Sequence, residues 1–285
     1  MYYTSDWHIH CEGSYDASLT VPHILQKAEE YGITELGITD HVNAPSWITY
    51  LKKSRELFDA NRRPGFHFGV ELTTQSKPLF DYAVKNGGAE ELWLLRRVPN
   101  RFEPYQGYEL PLTEEELRSL KVEYVIGGVH WPCFAPYTRE DIIKDYSLQN
   151  LYLACDPRVD IVAHPWDFDC AWQNENGIFD TLPWYDDFEA IPHSVHEEFA
   201  AAMKENGKCM EWNLCFIVGR QYPEAFKRRY AEYVREMFEL GVPITLGSDA
   251  HDEYPNCQDA VQEMAGRVGF EPRDFARPSF RAYEE

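Results

Sequence analysis

Short apolar runs alternate with amphipathic segments along most of the chain. Seven runs have the composition of β-strands, at residues 2–8, 34–39, 66–71, 123–130, 160–164, 208–213 and 243–248. Between them lie segments with helical periodicity, clearest at residues 21–32, 141–155, 196–207 and 224–241. A glycine follows three of these helical patterns, at Gly32, Gly207 and Gly241, where a left-handed C-cap is favoured.

Seven strand-then-helix units predict an α/β protein with parallel strands and helices packed outside them. Such a sheet is either doubly wound or closed into a barrel, and 285 residues is a common length for a barrel of one domain. We expect residues 1–285 to form a single domain. Two long connections, 72–121 and 166–195, are rich in aromatic residues, which favours functional loops or lids. A solvated excursion packed by its own tryptophans is the alternative.

The charge and the cysteines restrict the partners and the compartment. The net charge is -21, from 48 acidic and 27 basic residues, so we expect no nucleic-acid partner. The seven cysteines are scattered without a CxxC pair, which indicates reduced thiols rather than a disulfide framework or a zinc ribbon. No apolar run approaches 18 residues and no signal-like segment precedes the first strand. We therefore expect a cytoplasmic protein without a membrane segment; the oligomeric state stays open.

Metal-ligand side chains stand at six of the seven predicted strand ends. In "DWHIH", His8 and His10 are two residues apart, so on a strand they point to the same face. The other strand-end ligand types are His41, Glu71, His130, His164, Asp249 and His251. In a parallel barrel the carboxyl ends of all strands surround one cavity. We therefore predict a metal site. The alternative is that each of these side chains only forms hydrogen bonds in a turn, and that explanation would have to apply independently at six strand ends.

The number of candidate ligands predicts more than one ion. With Asp16 they number nine, whereas one zinc-like ion uses three or four protein ligands. Two or three divalent ions that share a bridging carboxylate fit this set better. Nitrogen-rich ligation favours zinc, manganese or iron over magnesium or calcium. The remaining histidines His23, His67 and His196 are expected to be structural, and His193 is a candidate substrate contact.

Six motifs in this order, "DWHIH", "GITDH", "FGVE", "GGVH", "IVAHP" and "LGSDAH", resemble the metal-binding motifs of the PHP (polymerase and histidinol phosphatase) superfamily. The resemblance covers essentially the whole chain and is greatest to the histidinol-phosphatase-like branch of small phosphoesterases. It implies a distorted (β/α)7 TIM-like barrel with a trinuclear metal centre at the C-terminal ends of the strands.

The resemblance also implies a ligand set for each of three ions. The first ion would be held by His8, His10, Glu71 and Asp249. Glu71 would bridge to the second ion, completed by His130 and His164, and the third would be held by Asp16, His41 and His251. Asp16 departs from many relatives, which carry a histidine there.

The implied reaction is hydrolysis of a phosphate ester in a small phosphorylated metabolite by a metal-bridging hydroxide. Its predicted catalytic residues are Glu71, Asp249, His251 and Asp40. Asp6 and Asp40 stand beside ligand histidines and are candidates for orienting them. For Asp40 a helix N-cap is an equally open alternative.

The predicted substrate contacts are Arg220, Trp166 and His193. Histidinol phosphatases tend to carry an arginine after the strand-five histidine, where this chain has Trp166, and another after strand six, where Arg220 is the candidate. For Arg220 a solvated helix-entry role is the alternative. Arg96, Arg97 and Arg101 in the first long connection could supply the missing charge.

Histidinol phosphate is the family default as substrate. The departure at Trp166 leaves open a phosphatase or phosphodiesterase acting on a small cyclic phosphate, a sugar phosphate or a nucleotide. A nuclease module and a non-catalytic metal-binding protein are the less favoured readings, because the chain is acidic and keeps all nine ligand positions.

Overall fold

The computed structural model describes residues 1–86, 107–133, 138–168 and 184–283. Its strands are β1 Ser5–Ile9, β2 Glu35–Ile38, β3 His41–Val42, β4 Phe66–Thr73, β5 Gln75–Ser76, β6 Tyr108–Glu109, β7 Tyr124–Gly128, β8 Ile161–Val162, β9 Cys209–Asn213 and β10 Ile244–Gly247. Its α-helices are α1 Val21–Tyr31, α2 Ile48–Ala60, α3 Lys77–Asn86, α4 Glu114–Ser119, α5 Arg139–Cys155, α6 His193–Glu205, α7 Cys215–Val218, α8 Glu224–Glu239 and α9 Gln258–Arg267. Arg96, Arg97 and Arg101 lie outside the described residues.

Seven parallel strands form a nearly closed barrel in the order β1-β2-β4-β7-β8-β9-β10, with β3 beside β4. The first and last strands meet where the backbone N–H of Asp249 donates to the carbonyl of His8 at 2.7 Å. The N–H of His10 donates to the carbonyl of Ala250 at 2.9 Å. The prediction of a distorted (β/α)7 barrel is therefore confirmed, and the doubly wound alternative is wrong.

Local sequence explains where the helices begin and end. Thr20 precedes α1 in an extended conformation, and its hydroxyl accepts from the backbone N–H of His23. Gly32, Gly207 and Gly241 have φ angles of 75°, 64° and 93°, as the sequence predicted for left-handed C-caps. Each helix is therefore stopped by a residue that adopts this conformation at low cost.

Large side chains fill the part of the barrel interior that lies towards the N-terminal ends of the strands. Trp7 and Tyr124 are almost fully buried, and the hydroxyl of Tyr124 donates to the carbonyl of Trp7 at 2.8 Å. A Cβ atom at Gly37 or Gly69 would overlap Tyr124, so glycine at these two strand positions makes room for the ring. The interior is thus a packed core below the site rather than a channel.

The C-terminal segment 271–283 closes the N-terminal end of the barrel. The backbone N–H of Ala276 donates to the carbonyl of Ile244 at 2.7 Å, and the guanidinium of Arg281 lies 2.6 Å from Asp160. The ring of Phe280 stacks on His67 with centroids 4.4 Å apart. Access to the barrel is therefore from the opposite end, where the strands have their carboxyl termini.

Two general predictions concern cysteines and membranes. The six cysteines within the described ranges are free thiols, as expected, and Cys170 lies outside those ranges. Among the helices that the structure describes, none is long and apolar enough to cross a bilayer.

Candidate metal centre

Glu71 lies at the centre of a group of histidines, and its two carboxylate oxygens face different members of it. Oε1 is 3.1 Å from Nε2 of His130 and 3.0 Å from Nε2 of His164. Oε2 is 2.9 Å from Nε2 of His8 and 3.0 Å from Nδ1 of His41. The Glu71 side chain is fully buried. A carboxylate placed in this way has the geometry needed to bridge two cations.

The predicted ligands converge. Within the described ranges, four groups have ligand atoms within 4.8 Å of one another: His8, His10, Glu71 and Asp249; His41, Glu71 and His130; His10, His41 and His251; and His8, His164 and Glu211. The first group is the set that the family resemblance implies for one ion. The second and third differ from the implied sets, because His41 approaches Glu71 and His10 approaches His251.

The first group fits a small tetrahedral cation. Nε2 of His8 lies 3.0 Å from Nε2 of His10 and 3.4 Å from Oδ1 of Asp249. Nε2 of His10 lies 3.1 Å from Oδ1 of Asp249 and 3.4 Å from Oε2 of Glu71. Ligands at about 2.0–2.1 Å from a tetrahedral ion are about 3.3 Å apart, so these separations match zinc-like coordination.

The group around Asp16 is more open. Oδ2 of Asp16 is 3.6 Å from Nε2 of His41 and 3.9 Å from Nε2 of His251. Its other oxygen accepts from the hydroxyl of Ser14 at 2.6 Å. The rings of His10 and His251 stack with centroids 4.0 Å apart. The chain therefore brings Asp16 to the same cavity, but with longer separations than the first group.

Hydrogen bonds outside the cavity orient several histidine rings. Nδ1 of His8 lies 2.7 Å from Oε1 of Glu211, and Nδ1 of His251 lies 2.9 Å from the carbonyl oxygen of Asp249. Because these partners are acceptors, the proton of each neutral ring is assigned to Nδ1. Nε2 then carries the lone pair and faces the cavity, as metal ligation requires.

A longer relay orients His130. The hydroxyl of Thr73 donates to the side-chain oxygen of Asn43, so its oxygen accepts from Nδ1 of His130 at 3.0 Å. Thr73 is fully buried and Asn43 is nearly so. The relay leaves the Nε2 lone pair of His130 pointing at Glu71.

The charges of the cavity depend on one another. Burial raises the pKa of Glu71, but the neighbouring histidines, above all His8, outweigh it and hold this pKa well below its usual range. Burial lowers the pKa of His10 and of His164, but hydrogen bonds to Asp249 and Glu71 respectively raise each to about 9. The buried carboxylates therefore require nearby positive charge, which protons supply here and cations would supply in their place.

Two non-glycine residues of the cavity have left-handed backbones. His164 has a φ of 26° and Asp249 a φ of 56°, which is strained for side chains of this kind. Close packing adds a constraint at Gly128, where a Cβ atom would lie 2.5 Å from Oε1 of Glu71 and 2.7 Å from Cε1 of His130. Strain and tight packing at the same place are typical of functional sites.

Glu211 and Asn213 belong to the same cavity wall, although the sequence did not predict them as site residues. Glu211 accepts from the backbone N–H of His164 at 2.8 Å, and the side-chain amide of Asn213 donates to Oδ2 of Asp249 at 3.0 Å. Both stand on β9, two residues apart and therefore on the same face. The alternation of polar side chains in "CMEWN" could have indicated that these two residues face the cavity. This signal was missed because the strand carries no histidine.

Two of the three predicted substrate contacts, Trp166 and His193, have other partners. Trp166 is fully buried, with its ring centroid 5.5 Å from that of Trp184, so the prediction of a substrate contact there is wrong: the indole belongs to the core. His193 begins α6 with 65% of its side chain exposed and pairs with Glu197 at 3.5 Å, away from the cluster contacts. Arg220 is exposed in a turn after α7 and stays a prediction.

The carboxylate of Asp40 is buried and binds Cys11 and Ser54. Its oxygens accept from the backbone N–H and the thiol of Cys11, at 2.6 and 3.0 Å, and from the hydroxyl of Ser54. It does not cap α2, whose N-cap is Trp47, so the N-cap alternative is wrong. Both oxygens bind groups that anchor the chain just after His10, which agrees with the orienting role expected for Asp40, and its catalytic role stays a prediction.

Asp6 ties the first strand to the last. Its carboxylate accepts from the backbone N–H of Ser248 at 2.9 Å and of His8 at 3.3 Å, and from the hydroxyl of Tyr254 at 2.9 Å. This position supports the orienting role expected for it. Of the histidines expected to be structural, His67 binds Glu35 and Glu123 at the other end of the barrel.

The model of the PHP domain family matches residues 6–214. The chain therefore belongs to the PHP domain family, the class of metal-dependent phosphoesterases that its strand-end motifs resemble. Its fold is similar to that of a histidinol phosphate phosphatase from Lactococcus lactis subsp. lactis, complexed with zinc, L-histidinol and phosphate, at 15% identity, with 94% of each chain covered and a TM-score of 0.56. An ochratoxinase from A. niger is similar at 15% identity, 95% and 68% coverage and a TM-score of 0.43. No curated protein sequence matches the chain at a significant level.

Proposed function

We propose that the protein hydrolyses a phosphate ester of a small metabolite with the help of three divalent metal ions. The observation that carries the proposal is the position of Glu71, whose two oxygens face separate groups of histidines within 3.1 Å. A shared carboxylate of this kind is the common element of sites that hold two ions for phosphoryl transfer.

The residues present fit such ions. We assign the first ion to His8, His10, Glu71 and Asp249, the second to Glu71, His130 and His164, and the third to Asp16, His41 and His251. Imidazole and carboxylate groups suit manganese, iron or zinc, and the five short separations in the first group support an ion of this size. The longer separations around Asp16 support a weaker third site.

When bound, the ions would supply Lewis acidity that activates water and neutralises charge on the phosphoryl oxygens. The protein supplies an open side, because the side chains of Asp249, His130 and His251 keep 17%, 18% and 29% exposure while Glu71 has none. A phosphate group would reach the cluster from that side. Burial, reinforced by His10, lowers the pKa of His251 to about 4, so its ring is neutral at pH 7 and serves as a ligand rather than as a proton donor.

The substrate that we propose is a small phosphorylated metabolite, with histidinol phosphate as the first candidate. The order of the strand-end motifs supports this choice. The burial of Trp166, where relatives tend to carry an arginine, keeps a small cyclic phosphate, a sugar phosphate and a nucleotide as alternatives. The exposed guanidinium of Arg220 is the proposed partner for a phosphate oxygen. The net charge of -21 argues against a nucleic-acid substrate.

We also propose that the whole chain is one domain. The family match ends at residue 214, but β10 pairs with β9 and meets β1 beyond that point. Asp249 and His251 follow β10, so the cavity needs residues outside the matched range.

Two measurements test the proposal. Elemental analysis of the purified protein should find two or three equivalents of manganese, iron or zinc per chain. The loaded protein should release phosphate from at least one ester in a panel of histidinol phosphate, sugar phosphates, nucleotides and cyclic phosphates. Turnover of another ester without turnover of histidinol phosphate would exclude the first candidate alone. A protein that fails to bind metal on reconstitution, or that binds it and hydrolyses nothing in the panel, would overturn the proposed function.

A further inference from the structure

A buried carboxylate outside the proposed ligand set touches two of the ligand histidines. Glu211, in the middle of β9, has 1% of its surface exposed. Oε1 lies 2.7 Å from Nδ1 of His8, whereas Oε2 accepts from the backbone N–H of His164 at 2.8 Å and from the amide of Asn213 at 3.2 Å. Both oxygens are thus engaged by protein donors, so the carboxylate acts on the cavity through these neighbours.

The barrel makes room for this charge. Gly247 on β10 stands beside Glu211, and a Cβ atom there would overlap Oε1 of Glu211 and come within 2.5 Å of Cβ of His8. A larger residue at Gly247 would therefore displace the carboxylate, the imidazole or both. The absence of a side chain at Gly247 thus leaves the space that the Glu211 side chain occupies.

The contact with His8 determines which ring nitrogen carries the proton. An acceptor at Nδ1 keeps the proton there and leaves the lone pair on Nε2, which lies 2.9 Å from Oε2 of Glu71. Without Glu211 the ring could carry its proton on Nε2, where it would block a metal ion.

The contact with His164 acts on the backbone. His164 has a φ of 26°, and its N–H is bound to Oε2 of Glu211. From this conformation its Nε2 reaches Oε1 of Glu71 at 3.0 Å. A hydrogen bond from a strained residue to a buried anion offsets part of the cost of that strain.

We infer that Glu211 is a positioning residue of the metal centre that acts on two ligand histidines at once. One anion outside the ligand set orients a histidine in each of two neighbouring metal sites, and thereby sets the affinity for both ions. The inference rests on the proposed function, since it takes His8 and His164 as ligands of the first and second ions.

The test compares the variants Glu211→Gln and Glu211→Asp with the wild type. Metal-free proteins are titrated with Zn²⁺ and Mn²⁺ by calorimetry, and the zinc-loaded proteins are examined by long-range ¹H–¹⁵N NMR of the histidine rings. Asp160→Asn is the matched control, because this carboxylate binds Arg281 and the backbone N–H of Val125 at the other end of the barrel. We expect Glu211→Gln to weaken both of the tighter ions by about 10- to 100-fold and to reduce the Nδ1-protonated form of His8. Asp160→Asn should leave both measurements unchanged.

Wild-type affinity and an unchanged His8 tautomer in a folded Glu211→Gln protein would overturn the inference. If Glu211→Gln does not fold, Glu211→Asp decides, because it keeps the charge but is one methylene too short to reach both His8 and the N–H of His164. A folded Glu211→Asp protein with wild-type affinity overturns the inference, and one with weakened affinity supports it. A wild-type protein that binds no metal fails in the same titration and overturns the proposed function instead, so the two failures are distinguishable.

Discussion

His41 and Glu71 are register partners on the neighbouring parallel strands β3 and β4, and Nδ1 of His41 lies 3.0 Å from Oε2 of Glu71. The position of Glu71 is therefore set by strand pairing rather than by a loop. A shift of one residue would turn its side chain to the other face of the sheet. The central carboxylate of the candidate metal centre thus stands on a paired strand of the barrel.

Replacing Glu71 by glutamine should remove bound metal and activity together. The substitution keeps the shape of the side chain but removes the charge that several histidines surround. We expect the loss of activity to exceed the roughly 100-fold that removal of an outer partner causes, with the far-ultraviolet dichroism of the barrel preserved. Glu35→Gln, at the start of β2, is the control. An active Glu71→Gln protein with full metal content would refute the bridging role.

Asp16→Ala should lower the metal content by one equivalent per chain and leave the other ions bound. The reason is that Asp16 contacts only His41 and His251 among the proposed ligands, at separations of 3.6 and 3.9 Å. Mass spectrometry of reconstituted protein measures the stoichiometry. Asp252→Ala is the control. It removes an exposed carboxylate next to His251 in the chain that binds the hydroxyl of Ser18, and it should leave the metal content unchanged. Loss of all ions from Asp16→Ala would contradict three separable sites.

Thr73→Val should weaken metal binding without creating a cavity, because the two side chains have nearly the same volume. The change removes the hydroxyl that links Asn43 to Nδ1 of His130. We expect the affinity for the second ion to fall about 10-fold or more, measured by competition with a chelator. Thr245→Val is the control, since this buried hydroxyl faces the carbonyl of Met210 instead. Equal effects in the two variants would show that the loss is not specific to the relay.

His196 should make the metal-free protein sensitive to mild acid. Its ring is buried between Phe188 and Tyr233, and burial, with the nearby charges of Arg229 and His193, lowers its pKa to about 4. An unfolded histidine titrates near 6.5, so between these values the unfolded chain binds a proton that the folded chain does not. This difference lowers the free energy of unfolding as the pH falls from 6.5 towards 4, by about 2 kcal/mol at pH 5.

Urea unfolding at pH 7.5 and pH 5 tests this effect. His196→Phe should lose stability less steeply over that interval than the wild type, whatever its stability at pH 7.5. His23→Gln, on the exposed face of α1, should keep the wild-type dependence. Parallel losses in all three proteins would show that His196 does not titrate in this window.

The sequence predicted the barrel well, because each strand carries a local signal and six of the seven strand ends carry a metal-ligand side chain. His8, His10 and Glu71 were recognisable because parallel strands bring their carboxyl ends together whatever the loops do. The same logic missed Glu211. A glutamate inside a strand is ambiguous until the neighbouring strand is known, and the space at Gly247 belongs to β10, more than thirty residues later in the chain.

Trp166 and Asp40 show why a position close to a ligand histidine did not determine the direction of a side chain. Trp166 stands two residues after a ligand histidine, which suggested contact with a substrate, but a left-handed turn with a φ of 70° directs it into the core against Trp184. Asp40 stands next to His41 but lies between β2 and β3, where its carboxylate binds Cys11 and Ser54. The position of a residue at a strand end predicted which elements reach the cavity. The direction of each side chain decided which of their residues enter it.

The C-terminal segment has a practical consequence for labelling. Ala276, Phe280 and Arg281 lie across the N-terminal end of the strands, on the side of the barrel opposite the histidines. A fluorophore or a surface-immobilisation tag attached within this segment would leave the mouth of the barrel facing the bulk solution. Immobilised protein should therefore exchange metal ions and accept small esters as readily as the free protein does.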